Sequence, residues 1–256
     1  MKVAGHDTLL VVDTGAQSHV LSSAVAVAAN LVTFDSGING ADWRGQPMKM
    51  WRTDHPDITL EGLGTVIDQP SAITEFTEGF RARGLGGTLS PQWLATGRVD
   101  VVIDFPSSRL SVRERGAPPV DPSGIALGAP DPVCLDRSGG LVARSLAVNV
   151  LIGGVPARLA IDTGAENTLL FTTSAAASAL TRAGGSSGPG REAGERTFSA
   201  VAISAGDWST TASVVVTEGA SNRACPYDGR LGIDVLRTCV LTITEHDSAV
   251  RCPRGS

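Results

Sequence analysis

Two short apolar runs in this chain each end in the same polar turn. Residues 10–12 (Leu-Val-Val) are followed by Asp-Thr-Gly-Ala at 13–16, and residues 159–161 (Leu-Ala-Ile) are followed by Asp-Thr-Gly-Ala at 162–165. Apolar runs of this length are typical of buried strands, so each Asp lies in a turn at the edge of a hydrophobic core. A carboxylate in such a place costs free energy unless it has hydrogen-bond partners or a chemical role. The pattern therefore predicts two buried strands that each deliver one acidic residue to an equivalent turn.

The similarity between the two halves extends beyond these turns. Each turn leads to two apolar residues and then to an Ala-rich segment, at 23–31 and at 172–182, which predicts a short helix with a Ser or Thr N-cap. Farther along, each half has a glycine turn followed by a short amphipathic segment. In this comparison Gly87 corresponds to Gly232, and they follow their Asp residues by 74 and 70 positions. Two halves of similar layout predict a duplicated unit with a pseudo-twofold axis.

Further strands and the domain boundaries follow from alternation and from turn-forming residues. Alternating apolar and polar positions predict strands over 58–66 and within 197–216. The segment 115–132 contains five prolines and three glycines, which predicts a linker. We therefore expect a mostly β protein with short helices, in which residues 1–114 form an N-terminal lobe and residues 133–256 form a C-terminal lobe.

The two Asp strands differ in what precedes them. Before the second turn, residues 146–161 have the pattern of a hairpin closed at Gly154. Gly5 precedes the first Asp by the same eight positions as Gly154 precedes the second, so residues 1–3 are interpreted as the end of an equivalent partner strand. We therefore expect that the chain begins inside its first lobe, with the missing part of that strand and any export signal upstream. The N terminus itself has no apolar segment of the kind found in signal peptides.

Composition and charge restrict the expected partners and compartment. The chain has 256 residues, of which 42% are hydrophobic, a formal net charge of -5 and a pI near 5.4. Its Lys and Arg residues do not cluster, which argues against a nucleic-acid partner, and no apolar run reaches the roughly 18 residues that span a membrane. The four cysteines all lie in the second half without the spacing of a zinc or redox site, and the three ways of pairing them stay open. We expect one or two disulfides and an exported protein, periplasmic or secreted.

Other candidate chemistry in the sequence is weaker. The four histidines have no metal-ligand spacing, and the Gly-Leu-Gly at 62–64 lacks the third glycine of a dinucleotide-binding motif, so we expect neither metal nor cofactor. His19 lies close to the first Asp turn and is interpreted as a packing residue. Residues 184–188 fit the pattern of a nucleophile elbow, but no predicted strand precedes them, so they are interpreted as a loop.

A pair of Asp residues on a twofold axis has a definite chemistry. Two carboxylates held close together cannot both ionise, so Asp13 and Asp162 would share a proton, one acting as a base and the other as an acid. The base takes a proton from a water while the acid hydrogen-bonds the carbonyl oxygen of an amide, and no covalent intermediate is needed. The glycines let backbone N–H groups approach the carboxylates, and the threonines can hydrogen-bond across the axis. The residues expected to support the pair are Thr14, Gly15, Ala16, Thr163, Gly164 and Ala165.

The duplicated Asp-Thr-Gly motif, with an apolar strand before each copy and an apolar glycine turn after it, resembles the aspartic proteases of the pepsin and retropepsin type. Ala16 and Ala165 match the retroviral pattern, and residues 230–236 resemble bacterial retropepsin-like proteins. The resemblance implies a bilobal fold with a cleft between two pseudo-symmetric β lobes, and aspartic endopeptidase activity with Asp13 and Asp162 as the catalytic dyad. It also implies a peptide or protein substrate and a monomer, because one chain supplies both lobes. The alternative function is a catalytically silent peptide- or protein-binding protein on the same fold.

The resemblance also raises the question of a flap, a hairpin that closes over the cleft. The glycine-rich stretch 37–45 carries Trp43, which is interpreted as the flap aromatic, with Trp51 as second choice and an ordinary surface hairpin as the alternative. Pepsin-like enzymes have a flap tyrosine, whereas Tyr227, the single tyrosine here, lies just before the second glycine turn. The alanine after each Asp-Thr-Gly also lacks a hydroxyl that would stabilise an ionised carboxylate, so the dyad is expected to titrate at higher pH than in pepsin.

Overall fold

The computed structural model describes most of the chain. The described residues are 1–41, 47–54, 56–60, 65–68, 71–95, 99–115, 125–128, 131–135, 141–184, 187–190, 194–218, 227–245 and 248–253. Strands dominate these segments, which confirms the prediction of a mostly β fold.

Short strands make up most of both halves. Those of the first half are β1 (Lys2–Val3), β2 (His6–Asp7), β3 (Leu9–Val12), β4 (Val20–Ser22), β5 (Thr33–Ala41), β6 (Pro47–Thr53), β7 (Asp57–Leu60), β8 (Thr65–Asp68), β9 (Ser71–Thr74), β10 (Leu85–Leu89), β11 (Val99–Asp104) and β12 (Arg109–Glu114). Those of the second half are β13 (Ile125–Gly128), β14 (Asp131–Leu135), β15 (Leu141–Ser145), β16 (Ala147–Ile152), β17 (Val155–Ile161), β18 (Thr168–Phe171), β19 (Ser187–Pro189), β20 (Arg196–Ala205), β21 (Trp208–Thr217), β22 (Gly229–Leu231), β23 (Val240–Ile243) and β24 (Ser248–Arg251).

The helices are short and begin at favourable residues. They are α1 (Ser23–Ala28), α2 (Glu78–Ala82), α3 (Ala175–Arg182), α4 (Ile233–Leu236) and a 3-10 helix at Pro91–Trp93. Helices α1 and α3 follow the two Asp turns, and each has a serine N-cap whose hydroxyl accepts a backbone N–H: Ser22 from Val25 at 3.2 Å and Ser174 from Ala177 at 3.1 Å. These are the two Ala-rich helices that the sequence predicts. Among the described residues, no helix has both the length and the apolar character required to cross a membrane.

The two halves have the same arrangement of strands around their Asp turns. In the first half a six-stranded sheet has the order β3-β10-β4-β9-β6-β5, and in the second a seven-stranded sheet has the order β16-β17-β22-β18-β21-β20-β19. In both, the Asp strand (β3 or β17) runs parallel to the glycine strand (β10 or β22), whose other neighbour is the strand after the Asp turn (β4 or β18). Buried aliphatic side chains of these strands form much of the core, as in Leu21, Leu89, Leu159 and Leu170.

The strand registers correct the sequence comparison of the two glycine turns. Gly87 pairs with Leu21 on β4, and Gly229, not Gly232, pairs with the equivalent Leu170 on β18. A Cβ atom at Gly87 would lie 2.2 Å from the carbonyl oxygen of Val20, and one at Gly229 would lie 2.0 Å from that of Leu169. The close approach of the neighbouring strand therefore requires glycine at both positions. Each half has more than one glycine in this region, and the pairing of Gly87 with Gly232 that the sequence suggested was wrong.

The start of the chain forms a hairpin equivalent to that of β16 and β17. The turn between β1 and β2 has positive φ angles at Ala4 (45°) and Gly5 (83°), and the turn between β16 and β17 has them at Gly153 (56°) and Gly154 (81°). Val3 pairs with His6 as Ile152 pairs with Val155. Strand β3 lies at the edge of its sheet, whereas β17 is flanked by β16 and β22. Residues 2 and 3 therefore pair with the segment that leads to the first Asp as the end of β16 pairs with β17.

Besides a four-stranded sheet in the order β2-β1-β7-β8 and the pair β14-β15, the described residues form a sheet that joins the two halves. Strand β11 of the first half pairs antiparallel with β23 of the second, in the order β12-β11-β23-β24-β13. The paired residues Val101 and Ile243 are fully buried, so this sheet adds to the core between the halves. Strand β13 lies within the predicted linker 115–132 and pairs with β24. Part of that segment is therefore built into the sheet that the two halves share.

A disulfide between Cys239 and Cys252 ties β23 to the end of β24 across 13 positions of sequence. Replacing both residues by alanine should lower the free energy of unfolding by about 3 kcal/mol, because a loop of this size is no longer closed in the unfolded chain. Denaturant unfolding of the variant and the parent protein, without reductant, measures this difference. In the presence of a thiol reductant the gap should shrink to the packing loss of the alanines, since both proteins then have an open loop. An unchanged gap in reductant would contradict this account.

Candidate active site

The strand that precedes each Asp turn holds its Asp between two neighbouring strands. The backbone N–H of Asp13 donates to the carbonyl of Leu89 on β10 at 2.9 Å, and that of Asp162 donates to Leu231 on β22 at 3.0 Å. Leu89 and Leu231 are equivalent in the strand registers, so both turns leave their sheets at the same point. The structure thus brings Asp13 and Asp162 to equivalent positions, each at the end of a buried strand.

Each carboxylate is held by the backbone of its own turn. Oδ1 of Asp13 accepts from the N–H groups of Gly15 at 2.8 Å and Ala16 at 3.1 Å. Oδ1 of Asp162 accepts from those of Gly164 at 3.0 Å and Ala165 at 3.1 Å. These hydrogen bonds fix the carboxylate planes in related orientations, because the turns have the same backbone geometry.

The two threonines cross-link the turns. The N–H of Thr14 donates to Oγ1 of Thr163 at 3.0 Å, and the N–H of Thr163 donates to Oγ1 of Thr14 at 3.1 Å. Each hydroxyl then donates to the opposite Asp strand, Thr14 to the carbonyl of Ile161 at 2.7 Å and Thr163 to that of Val12 at 2.6 Å. Each threonine therefore satisfies backbone groups that its own half cannot reach, and the two turns are held against each other.

The glycine of each turn lies under the carboxylate of the other half. A Cβ at Gly15 would be 2.5 Å from Oδ1 of Asp162, and a Cβ at Gly164 would be 2.7 Å from Cγ of Asp13. Neither glycine has a positive φ angle, so the requirement for glycine here is space rather than backbone conformation. Each carboxyl group therefore packs against the turn of the other half, and the two side chains are close enough to hydrogen-bond each other.

Burial and the facing carboxylate make Asp13 a weak acid. Burial raises the pKa of Asp13 to about 7, and the negative charge of Asp162 together with a hydrogen bond between the two side chains acts in the same direction. The N–H of Gly15 and the more distant positive charge of Arg230 lower it, but by less. Burial is thus the first cause of the raised pKa of Asp13, and the effect expected from the missing hydroxyls stays a prediction. A carboxyl group of this kind is protonated up to about neutral pH and can act as a general acid there.

Arg230 is a site residue that the sequence comparison misses. It lies on β22, and its guanidinium donates from Nη1 to Oδ2 of Asp162, forming an ion pair in which the Asp162 side chain is only 4% exposed. The equivalent position on β10 is Thr88, because Gly87 and Gly229 are equivalent. Thr88 and Arg230 each directly follow one of the two equivalent glycines, Gly87 and Gly229. Because the sequence comparison paired Gly87 with Gly232 instead, it aligned Arg230 with Leu85.

A shell of hydrogen bonds holds the first turn from below. Nδ1 of the buried His19 accepts the N–H of Ser90 at 3.1 Å, Oγ of Ser90 donates to the carbonyl of Ala16 at 2.8 Å, and Nε2 of Gln92 donates to the carbonyl of Thr14 at 2.5 Å. His19 thus lies in the core beneath the turn and orients it through Ser90.

In the second half the position of His19 is taken by Thr168. Its Oγ1 accepts the N–H of Gly232 at 3.1 Å and donates to Oδ1 of Asp234 at 2.9 Å. Burial raises the pKa of Asp234, opposed by its hydrogen bonds from Thr168. The two halves therefore support the same turn with different side chains.

The flap candidates fall partly outside the described residues. Strands β5 and β6 form the predicted hairpin, but Trp43 lies between them, outside the described segments. Trp51 is on β6 and packs against the core, with Nζ of Lys49 4.9 Å from its ring centre. Tyr227 precedes β22 and lies under the guanidinium of Arg158, 5.6 Å from ring centre to Cζ.

In the segments that the structure describes, no group of three His, Cys, Asp or Glu side chains is arranged to hold a metal ion.

Comparison with known proteins agrees with the geometry of the second half. Residues 148–235 match the family model described as aspartyl protease. This segment extends from β16 into α4 and contains both Asp162 and Arg230, so the resemblance to aspartic proteases is confirmed over it.

Two solved structures of proteases are also similar to the chain. One is the EIAV protease complexed with the inhibitor HBY-793, at 20% identity, with 36% of this chain and 86% of that chain covered and a TM-score of 0.28. The other is a retropepsin-like aspartic protease from Rickettsia conorii, at 14% identity, with 46% and 89% covered and a TM-score of 0.29. No curated protein matches the chain.

Proposed function

We propose that this chain, whose residues 148–235 match the aspartyl protease family, is an aspartic endopeptidase with Asp13 and Asp162 as its catalytic dyad. The crossed hydrogen bonds between Thr14 and Thr163 support this most directly, because they hold the two carboxylates together in one chain. A site preorganised in this way can act on a bound water without rearranging during the reaction.

The dyad would act as an acid and a base at once. The ionised carboxylate takes a proton from a water, whose oxygen attacks the carbonyl carbon of the substrate peptide, while the protonated carboxyl group gives its proton to the carbonyl oxygen. In the tetrahedral intermediate that results, the nitrogen receives the proton that the first carboxyl group took from water, and the other carboxylate takes a proton from a hydroxyl of the intermediate. The C–N bond then breaks to give a new carboxyl and a new amine, and the dyad regains its single shared proton. The turn N–H groups on Oδ1 of each Asp keep the carboxylates in place through both steps.

The rest of the proposal concerns partners and compartment. The substrate class is a peptide or protein chain bound in a cleft between two lobes, with the boundaries 1–114 and 133–256. Since both Asp residues come from one chain, the protein would act as a monomer. The disulfide of Cys239 and Cys252 supports export to an oxidising compartment.

The pH dependence of peptide cleavage tests the proposal. We expect kcat/KM for a mixed peptide library to be highest below neutral pH and to fall as the pH rises through about 7, because Asp13 loses the proton that it must donate. Mass spectrometry of the digests, from about pH 3 to about pH 9, gives both the cleavage sites and the profile.

The possible results separate the two candidate functions. Cleavage that disappears above neutral pH supports an endopeptidase that depends on protonated Asp13. Absence of cleavage at every pH, together with saturable binding of library peptides, would identify the silent binding protein instead. A pH optimum below about 3, in the range of pepsin, would contradict the neutral titration of Asp13.

A further inference from the structure

The pseudo-symmetry of the candidate active site breaks at a position whose side chain contacts the dyad itself. The turns, the threonine cross-links and the glycine strands are alike in the two halves, but Arg230 stands where the first half has Thr88. Arg230 reaches the dyad directly, through its ion pair with Asp162. The dyad is therefore chemically unequal although its backbone is nearly symmetric.

Asp162 is surrounded by donors on both of its oxygens. Oδ1 accepts from the N–H groups of Gly164 and Ala165, and Oδ2 accepts from the guanidinium of Arg230. A guanidinium is permanently charged and can only donate hydrogen bonds. Three of its roughly four lone-pair sites thus accept from donors, one of them a fixed positive charge, and this arrangement suits an ionised carboxylate.

In the part of the chain that the structure describes, no cation forms an equivalent ion pair with Asp13. Its Oδ1 accepts from the turn N–H groups, but Thr88, the counterpart of Arg230, is neutral, and its buried Oγ1 has no hydrogen-bond partner among the described residues. The charge of Arg230 lowers the pKa of Asp13, but it is the weakest of the effects that act on that pKa. A proton between the two carboxyl groups is therefore stabilised more on Asp13 than on Asp162.

The other titratable groups around the dyad are engaged elsewhere. His19, beneath the first turn, accepts from Ser90, and Asp234, beneath the second, accepts from Thr168. Among the described residues, Arg230 is thus the charged side chain that distinguishes the two Asp residues.

We propose that Arg230 is a positioning residue that keeps Asp162 ionised and leaves the shared proton on Asp13. Given the proposed peptidase function, on which this inference rests, Asp162 is then the base that takes a proton from water, and Asp13 is the acid that protonates the substrate carbonyl. The roles of the two Asp residues would be assigned before the substrate binds, instead of being interchangeable.

Carbon NMR of the dyad tests this assignment without requiring peptidase activity. The protein is labelled at Cγ of aspartate, and the two signals are assigned by their loss in Asp13→Asn and Asp162→Asn. In the parent protein at about pH 5 we expect the Asp162 signal at the ionised position and the Asp13 signal at the protonated position, moving only as the pH rises through about 7. The reverse assignment, or two signals that move together, would overturn the inference even if no variant of Arg230 folds.

Variants of Arg230 then test the cause. Arg230→Met keeps the aliphatic stem and removes the charge, so both Cγ signals should take intermediate positions at about pH 5 as the proton becomes shared. Arg230→Lys should restore most of the difference between them. Arg237→Met, at the exposed end of α4, is the matched control and should leave both signals unchanged. Signals that stay at their parent positions in Arg230→Met would also overturn the inference.

Kinetics separate this inference from the proposed function. If the chain is a peptidase, Arg230→Met should move the acid limb of the kcat profile upward by about 1 pH unit, because the base loses its cation, with little change in KM. Arg230→Lys should restore the limb, and Arg237→Met should not move it. An unchanged profile in Arg230→Met would contradict the positioning role. Absence of peptidase activity in the parent protein would refute the proposed function, while the NMR result would still decide where the proton lies.

Discussion

Replacing Asp13 by asparagine is expected to lower kcat/KM by about 10⁴-fold, the largest effect of any change considered. An amide cannot give a proton to the substrate carbonyl, so the general-acid step is lost while the shape of the side chain is kept. The measurement is cleavage of a peptide substrate below neutral pH. Asp104→Asn is the matched control, because Asp104 lies at the end of β11, where its carboxylate accepts a local N–H, that of Ser107 at 3.1 Å. Activity within about 10-fold of the parent in Asp13→Asn would contradict the dyad.

The same variant should be more stable than the parent at neutral pH. The pKa of Asp13 is about 7 in the folded protein and near 3.8 in the unfolded chain, so between these values the folded state binds more protons. The free energy of unfolding of the parent should therefore fall as the pH rises from about 4 to about 7, and Asp13→Asn should remove that loss, on the order of 4 kcal/mol at pH 7. Equal stabilities at pH 7 would contradict the raised pKa. A stable but inactive Asp13→Asn variant would also show that lost activity is not lost folding.

Replacing Gly15 by alanine is the change with the next largest expected effect. Its Cβ would lie 2.5 Å from Oδ1 of Asp162, a contact that neither group can keep, so the two turns must move apart. We expect kcat/KM to fall about 100-fold from the misplacement and the free energy of unfolding to fall by about 3 kcal/mol from the overpacking. Peptide cleavage and denaturant unfolding measure the two losses.

A second glycine provides the control for this variant. Gly79 lies in α2 with nothing within 4 Å of an added Cβ and without a positive φ angle, so Gly79→Ala should keep full activity and slightly strengthen its helix. If Gly15→Ala behaved like Gly79→Ala, the carboxyl group of Asp162 could not be packed over Gly15.

The parts of the site that sequence predicts well are those coded locally. An apolar run that ends in Asp-Thr-Gly marks both the strand and the turn, and serine before an Ala-rich segment marks each helix start. The hairpin at the start of the chain is also local, since the glycines at 5 and 154 close turns of the same shape. These features depend on residues that are adjacent in the sequence, so they can be predicted without knowing the fold.

Arg230 shows where such reasoning ends. Its ion-pair partner lies 68 positions away in sequence, and the contact exists because β22 inserts between β17 and β18. Which of several glycines faces the neighbouring strand depends on the register of that insertion, and a shift of one residue changes the face on which every side chain lies. His19 and Thr168 illustrate a second limit. They accept equivalent N–H groups with an imidazole nitrogen and a hydroxyl, so a search for identical residues cannot match them.

The crossed threonine hydrogen bonds have a consequence for how the two halves can evolve. Each threonine hydroxyl binds backbone groups of the opposite half, so a substitution in one copy leaves donors or acceptors unsatisfied in the other. A substitution of either threonine is therefore disfavoured by its effect on both halves. We expect Thr14 and Thr163 to change only together. Thr88 and Arg230 have no such mutual dependence. The duplicated halves could diverge there, and a nearly symmetric scaffold could acquire one positive charge on one side only.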